Sequence, residues 1–130
     1  MKNIFFLGTS RDVIRDEFPK DVRQEIGFSL NTAQLGGRAI NAVPLVGFGG
    51  ANVLEVVSNA EQGTFRAVYT VRFKDAIYVL HAFQKKSKRG IATPKKEMAV
   101  VKQRLRVARE HYERVHEKQK AEKRNARTKG

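Results

Sequence analysis

Cysteine is absent from this chain of 130 residues. That excludes a disulfide scaffold, a thiol nucleophile and every cysteine-ligated zinc or iron–sulfur centre. No apolar run approaches the roughly 20 residues of a membrane helix. The run Ile4-Phe5-Phe6-Leu7 behind Lys2 is also too short for a secretory leader, which needs about 7–15 apolar residues. The start therefore reads as that of a mature, cytoplasmic chain. The familiar catalytic templates are missing as well: no phosphate-binding P-loop, HExxH, GxSxG or EF-hand loop occurs. His111 and His116 stand five apart, so they do not stack on one helical face as paired metal ligands. Gly47-Phe48-Gly49-Gly50 precedes a strand pattern rather than a helix, unlike a dinucleotide fingerprint. No metal or cofactor is expected.

What is present is one domain's worth of apolar sequence, at 41% hydrophobic residues, and a strongly uneven charge. The formal charge is +13; residues 1–62 carry a net −1 and residues 63–130 a net +14. Such a field favours a polyanion, because each neutralised phosphate releases condensed counterions. An anionic membrane would feel the same attraction. With no strongly apolar amphipathic face beside the bases, nucleic acid is the expected partner and a membrane is not.

The chain opens with a Phe-rich strand pattern, Asn3–Gly8, and a helix capped by Thr9 or Ser10 with Val13, Ile14 and Phe18 as its apolar stripe. Pro19 suits the first turn of a second helix, in which Val22, Ile26, Leu30 and Ala33 recur at helical spacing until Gly36-Gly37. Three strands follow, 53–58, 64–73 and 76–83, with short polar connectors that predict antiparallel hairpins. A basic loop over 84–93 leads to Thr93-Pro94, a capping hydroxyl followed by a helix-starting proline. Met98, Val101, Leu105, Ala108, Tyr112 and Val115 then form one apolar seam. From Gln119 that seam stops, which predicts a fraying, disordered tail. The expected organisation is a domain over residues 1–117 and a basic tail over 118–130. Its class is α+β, with the helices on one face of a mostly antiparallel sheet of about four strands and the other face open to ligands.

The chemistry-bearing residues lie on the strands. Alternation puts Phe65, Ala67, Tyr69, Val71 and Phe73 on a core face, and Arg66, Val68, Thr70 and Arg72 on the other. Two guanidiniums on that second face suit a phosphate, or are plain surface charge. The next strand runs through His81 and Phe83 into Lys85, Lys86, Lys88 and Arg89. Aromatic residues that stack on unpaired bases beside cations that hold the backbone would make an RNA site. His81 can equally be a satisfied core histidine. Lys95, Lys102, Arg106 and Arg109 form a basic face on the last helix, which can simply be solvated.

Phe65-Arg66-Ala67-Val68-Tyr69, Ile77 through Lys86 and Thr93-Pro94-x-x-Glu97 together resemble the RelE/ParE toxin superfamily, as does the loop Leu45-x-Gly47-Phe48-Gly49-Gly50. The likeness is to its HigB-like, phage-derived branch and covers about residues 3–115. It implies two N-terminal helices against an antiparallel sheet. It also implies a cognate antitoxin, usually of helix-turn-helix type, and ribosome-dependent, metal-independent cleavage of mRNA. In that reaction the 2′-hydroxyl attacks the adjacent phosphate. Arg66 matches the family's strand arginine and would stabilise phosphate charge; Lys85 and Lys86 match its basic pair, one for phosphate and one for proton transfer. His81 would be the acid or base at neutral pH. Arg72, Lys88, Arg89 and Lys95 would contact RNA, and Phe83 would stack on a base or pack in the core. A C-terminal tyrosine or histidine–aspartate set found in some members has no counterpart here, and Tyr112 falls on the apolar seam. Two other readings stay open, a non-catalytic inhibitor of DNA gyrase and a ribosome-binding module without chemistry. The oligomeric state is not legible.

Overall fold

The computed structural model describes residues 1–50, 52–85 and 92–129, with side chains as far as residue 126. The element order is β1 (Asn3–Phe6), α1 (Ser10–Glu17), α2 (Lys20–Gln34), β2 (Ala42–Pro44), β3 (Val53–Ala60), β4 (Gly63–Thr70), β5 (Ala76–Lys85) and α3 (Lys95–Lys129). The five strands form one sheet in the order β1-β5-β4-β3-β2. All neighbours are antiparallel except β1 and β5, which run parallel with Asn3 opposite Ala76. The fifth strand, β2, is only three residues long, too short to show as an alternating pattern in the sequence.

Helices cover both faces of the sheet, not one. On the first face, Phe18 and the α2 stripe Val22, Ile26, Leu30 and Ala33 pack on Leu54, Val56, Phe65, Ala67, Tyr69, Ile77 and Val79. On the second, Val101 and Ala108 of α3, with Met98, Leu105 and Tyr112 beside them, pack on Val53, Val68, Tyr78 and Leu80. The reason lies in β5, whose run Ile77-Tyr78-Val79-Leu80 is apolar at both parities and fully buried. A sheet with two apolar faces needs two covers, and the α3 seam supplies the second. The face expected to stand open is therefore an interior.

Five local expectations also change. The hydroxyl of Ser10 does not cap α1 but bonds back to the Leu7 carbonyl at 2.7 Å. Pro19 is the N-cap of α2 rather than its first residue, and its carbonyl accepts from the Arg23 amide. At α3 the Pro94 carbonyl accepts the Met98 amide at 3.0 Å. That leaves the Thr93 hydroxyl for a tertiary contact. Strand β4 ends at Thr70, so Phe73 leaves the expected core face and packs against Tyr78 and Tyr112 on the α3 side. The tail is helical through Lys129, against the expected fraying from Gln119. No Gly or Pro occurs between Lys95 and Lys129, and Ala, Glu, Lys, Gln and Arg dominate the last turns. Intrinsic propensity carries the helix on where packing stops.

Candidate functional site

Eight polar or aromatic side chains gather where the α3 face of β3, β4 and β5 meets the start of α3. Arg66 donates to Glu55 on the neighbouring strand at 2.8 Å, and both are almost fully buried. The other Glu55 oxygen accepts from Thr93 at 2.8 Å, which ties the approach to α3 onto β3. Solvated surface charge is thus excluded for Arg66. A buried pair of this kind persists because each partner, and the hydroxyl beyond it, satisfies the other's charge or lone pairs.

His81 owes its place to a bulge. The β4–β5 register moves from Val68 opposite His81 to Tyr69 opposite Val79, leaving Leu80 without a β4 partner. Leu80 and His81 then both turn toward α3. There the His81 Nε2 meets Glu97 in a short hydrogen bond, and its Nδ1 lies 3.1 Å from the Arg104 guanidinium. Arg104 can only donate, so Nδ1 accepts and Nε2 carries the proton toward Glu97. The same Arg104 nitrogen donates to the Leu80 carbonyl at 3.0 Å. Burial lowers the Arg104 pKa from its ordinary value, and the charge of Glu97 works against that shift. The ring of Phe83 stacks on His81 with centroids 5.2 Å apart. It is a buried member of the second core cluster, so the ring packs in the core, one of the two roles its sequence position left open.

Gly8 makes this arrangement possible. It stands at a φ of +56°, and a Cβ there would lie 2.6 Å from the Arg104 guanidinium. Any side chain would push Arg104 away from His81.

Lys85 lies at the end of β5, mostly buried, and its ammonium donates to the Ala92 carbonyl at 2.8 Å. Lys95 is exposed on the first turn of α3. Arg72 is remote from this cluster, beyond the opposite end of β4, where it donates to the Phe48 carbonyl at 2.9 Å. Lys86, Lys88 and Arg89 lie outside the described residues, as does most of the expected basic loop. The structure thus brings Arg66, His81, Phe83 and Lys85 to one face and separates Arg72 from them. Tyr112 packs on Phe73 at 4.8 Å, as its position on the seam required. Glu55 and Arg104 went unnoticed in the sequence. A lone acid in the apolar run Val53–Val57 was the available signal for Glu55. Arg104 had none, since its role depends on a glycine 96 positions away.

Chemically, the cluster offers an imidazole oriented by a carboxylate and a guanidinium, with Arg66 and the Lys85 ammonium further along the same face of the sheet. That is equipment for moving a proton beside a phosphate. Among the described residues no three His, Asp or Glu side chains converge as metal ligands. Nor is any helix among them long and apolar enough to cross a membrane.

The α+β sheet is flanked by two N-terminal helices and a C-terminal helix and carries basic groups on its strands. Residues 15–106 match the family described as phage-derived protein Gp49-like. The chain belongs to that family, part of the RelE/HigB-like toxins, and its expected partner is an antitoxin. No curated protein matches it.

Proposed function

We propose that this toxin, of the HigB-like branch, is a ribosome-dependent mRNA endoribonuclease. The observation that supports it most directly is the Glu97–His81 pair beside Arg66 and Lys85. Glu97 fixes the imidazole so that Nδ1 is the basic nitrogen, and Arg104 keeps its bond to Leu80 when Nδ1 turns to substrate. Nδ1 takes the proton of the message's 2′-hydroxyl, whose oxygen attacks the adjacent phosphorus. The bond to the 5′-oxygen breaks, a 2′,3′-cyclic phosphate remains, and Lys85 or Lys86 protonates the leaving oxygen. Arg66 exchanges Glu55 for the phosphate and opposes its growing negative charge. Lys88 and Arg89 hold the flanking backbone. The attacking group belongs to the RNA itself, so proton transfer and charge stabilisation are what the protein must add. The ribosome presents the message in line for attack, and a helix-turn-helix antitoxin restrains the toxin.

Primer extension on a defined message with purified 70S ribosomes tests this. New stops inside the coding region that vanish without ribosomes are expected, and His81→Ala should weaken them by about 10²–10⁴-fold with ribosome association retained. Intact message despite ribosome association would leave a binding module. Intact message without association would point to gyrase, read by a supercoiling assay.

A further inference from the structure

Among the described residues outside the His81 cluster, one side of α3 carries a long basic stripe. Lys102, Arg106 and Arg109 recur at intervals of four and three, and Lys120, Lys123 and Arg124 continue the same stripe after His116. All are exposed, and every residue from His116 to Ala126 is exposed on all sides of the helix. Lys102 and Arg106 line an open depression of about 520 Å³ together with Arg72, Gly47 and Phe48. From Lys102 to Arg124 the stripe runs about 33 Å at 1.5 Å per residue. Glu113 sits on it midway, with Glu110 and Glu117 at its border. The stripe is therefore two cationic patches on a straight rod, divided by acids. The match to the Gp49-like family ends at residue 106, short of the second patch.

We propose that this side of α3 is a docking rail for the phosphate backbone of double-stranded RNA, separate from the site of cleavage. Separation follows from the helix itself. Arg104, which holds His81, is two residues from both Lys102 and Arg106 and so lies about 200° around α3 from them. A strand at His81 and an RNA on the rail are on different sides of one helix. The duplex follows from the interruption. A single strand laid along the rod would have to cross Glu113 and Glu117, whereas a duplex meets a straight rod at successive backbone ridges and bridges the gap. The choice of RNA over DNA rests on the proposed function. Binding itself is read without ribosomes and without turnover, so a failure to cleave leaves it standing or falling alone.

The test is the full chain titrated with a labelled RNA hairpin, the DNA hairpin of the same sequence, a single-stranded RNA of equal length and poly-glutamate. Two variants, Lys102→Gln/Arg106→Gln/Arg109→Gln and Lys120→Gln/Lys123→Gln/Arg124→Gln, each remove three charges from the rail. A control, Lys96→Gln/Arg114→Gln/Lys118→Gln, removes three exposed charges from the remainder of the helix surface. Circular dichroism verifies that all three are folded. Each rail variant should lose roughly ten- to a hundredfold in hairpin affinity at 0.1 M salt, and its salt slope should fall by about 2–3. The control should lose less than about threefold, since only charges on the rail release counterions to the duplex. Equal losses in control and rail variants would reduce the rail to bulk charge and overturn the proposal. So would tighter binding of the single strand or poly-glutamate than of the RNA hairpin. Equal binding of the DNA hairpin would overturn the assignment to RNA.

Discussion

Glu55 shows how one carboxylate holds together a site that its position in the sequence conceals. It lies in an apolar strand, yet one oxygen balances the buried Arg66 and the other takes the Thr93 hydroxyl. Glu55→Ala would strip the guanidinium of that carboxylate in a low-dielectric interior, at a cost of about 3–5 kcal/mol. Glu55→Gln keeps one acceptor oxygen for Arg66 and turns an amide NH2, a donor, toward the Thr93 hydroxyl, and should cost about 1–3 kcal/mol. Urea unfolding of the two variants checks this, and midpoints within error of the parent would show that the pair does not stabilise the fold. Residue identity made Arg66 and His81 legible as candidates, because guanidinium and imidazole are the groups this chemistry uses. Their partners were not legible. Pairing of Arg66 with Glu55 depends on strand register, and pairing of His81 with Glu97 and Arg104 depends on a bulge and on the path of a distant helix.

At the scale of elements, α3 has two halves with different reasons to be helical. Up to Val115 its apolar seam is packed on the sheet; beyond it, no side chain from His116 to Ala126 is covered. The first half derives its stability from burial, the second from intrinsic propensity rather than packing on the sheet. Ala121→Gly should cost about 1 kcal/mol of local helix stability. Far-UV circular dichroism should therefore lose helical signal while the urea midpoint of the core stays put. A fall in that midpoint would mean that the projecting half is coupled to the domain. The periodicity of the seam was readable because it is a packing pattern. The projecting half lacked that signal, and its helix was missed for that reason. The short strand β2 was missed because three residues hold no period.

Across the whole molecule, alkaline stability reports on the joint between sheet and helix. The Tyr78 hydroxyl is 2.6 Å from the His111 Nδ1, joining β5 to α3 within a cluster of Phe5, Phe73 and Tyr112. Burial, with Tyr112 adding to it, pushes the Tyr78 pKa from 10.0 up to about 12. The unfolded chain gives up this proton near pH 10 while the native protein keeps it to about pH 12, so the native state binds the extra proton in between. Stability contributed by Tyr78 is fully present below pH 10 and is lost as pH rises toward 12. Tyr78→Phe should lower stability at neutral pH by about 1 kcal/mol, through the lost hydrogen bond. It should also flatten the alkaline limb of a urea-midpoint series. Parallel alkaline limbs would show that Tyr78 does not titrate with unfolding.

Sequence by itself determined the α+β class, the α2 stripe, the α3 seam, the hairpin order of β3 to β5 and the concentration of positive charge in the second half. Each is a local property, fixed by side-chain periodicity, turn chemistry or a count of charges. Tertiary structure alone decided that α3 closes the face expected to be open, and that Arg66 is buried beside Glu55. It alone set His81 between Glu97 and Arg104, with Gly8 making the room. Those outcomes depend on which strands neighbour one another, where a bulge shifts the register and how closely a helix approaches a loop, and each joins residues that lie far apart in the chain.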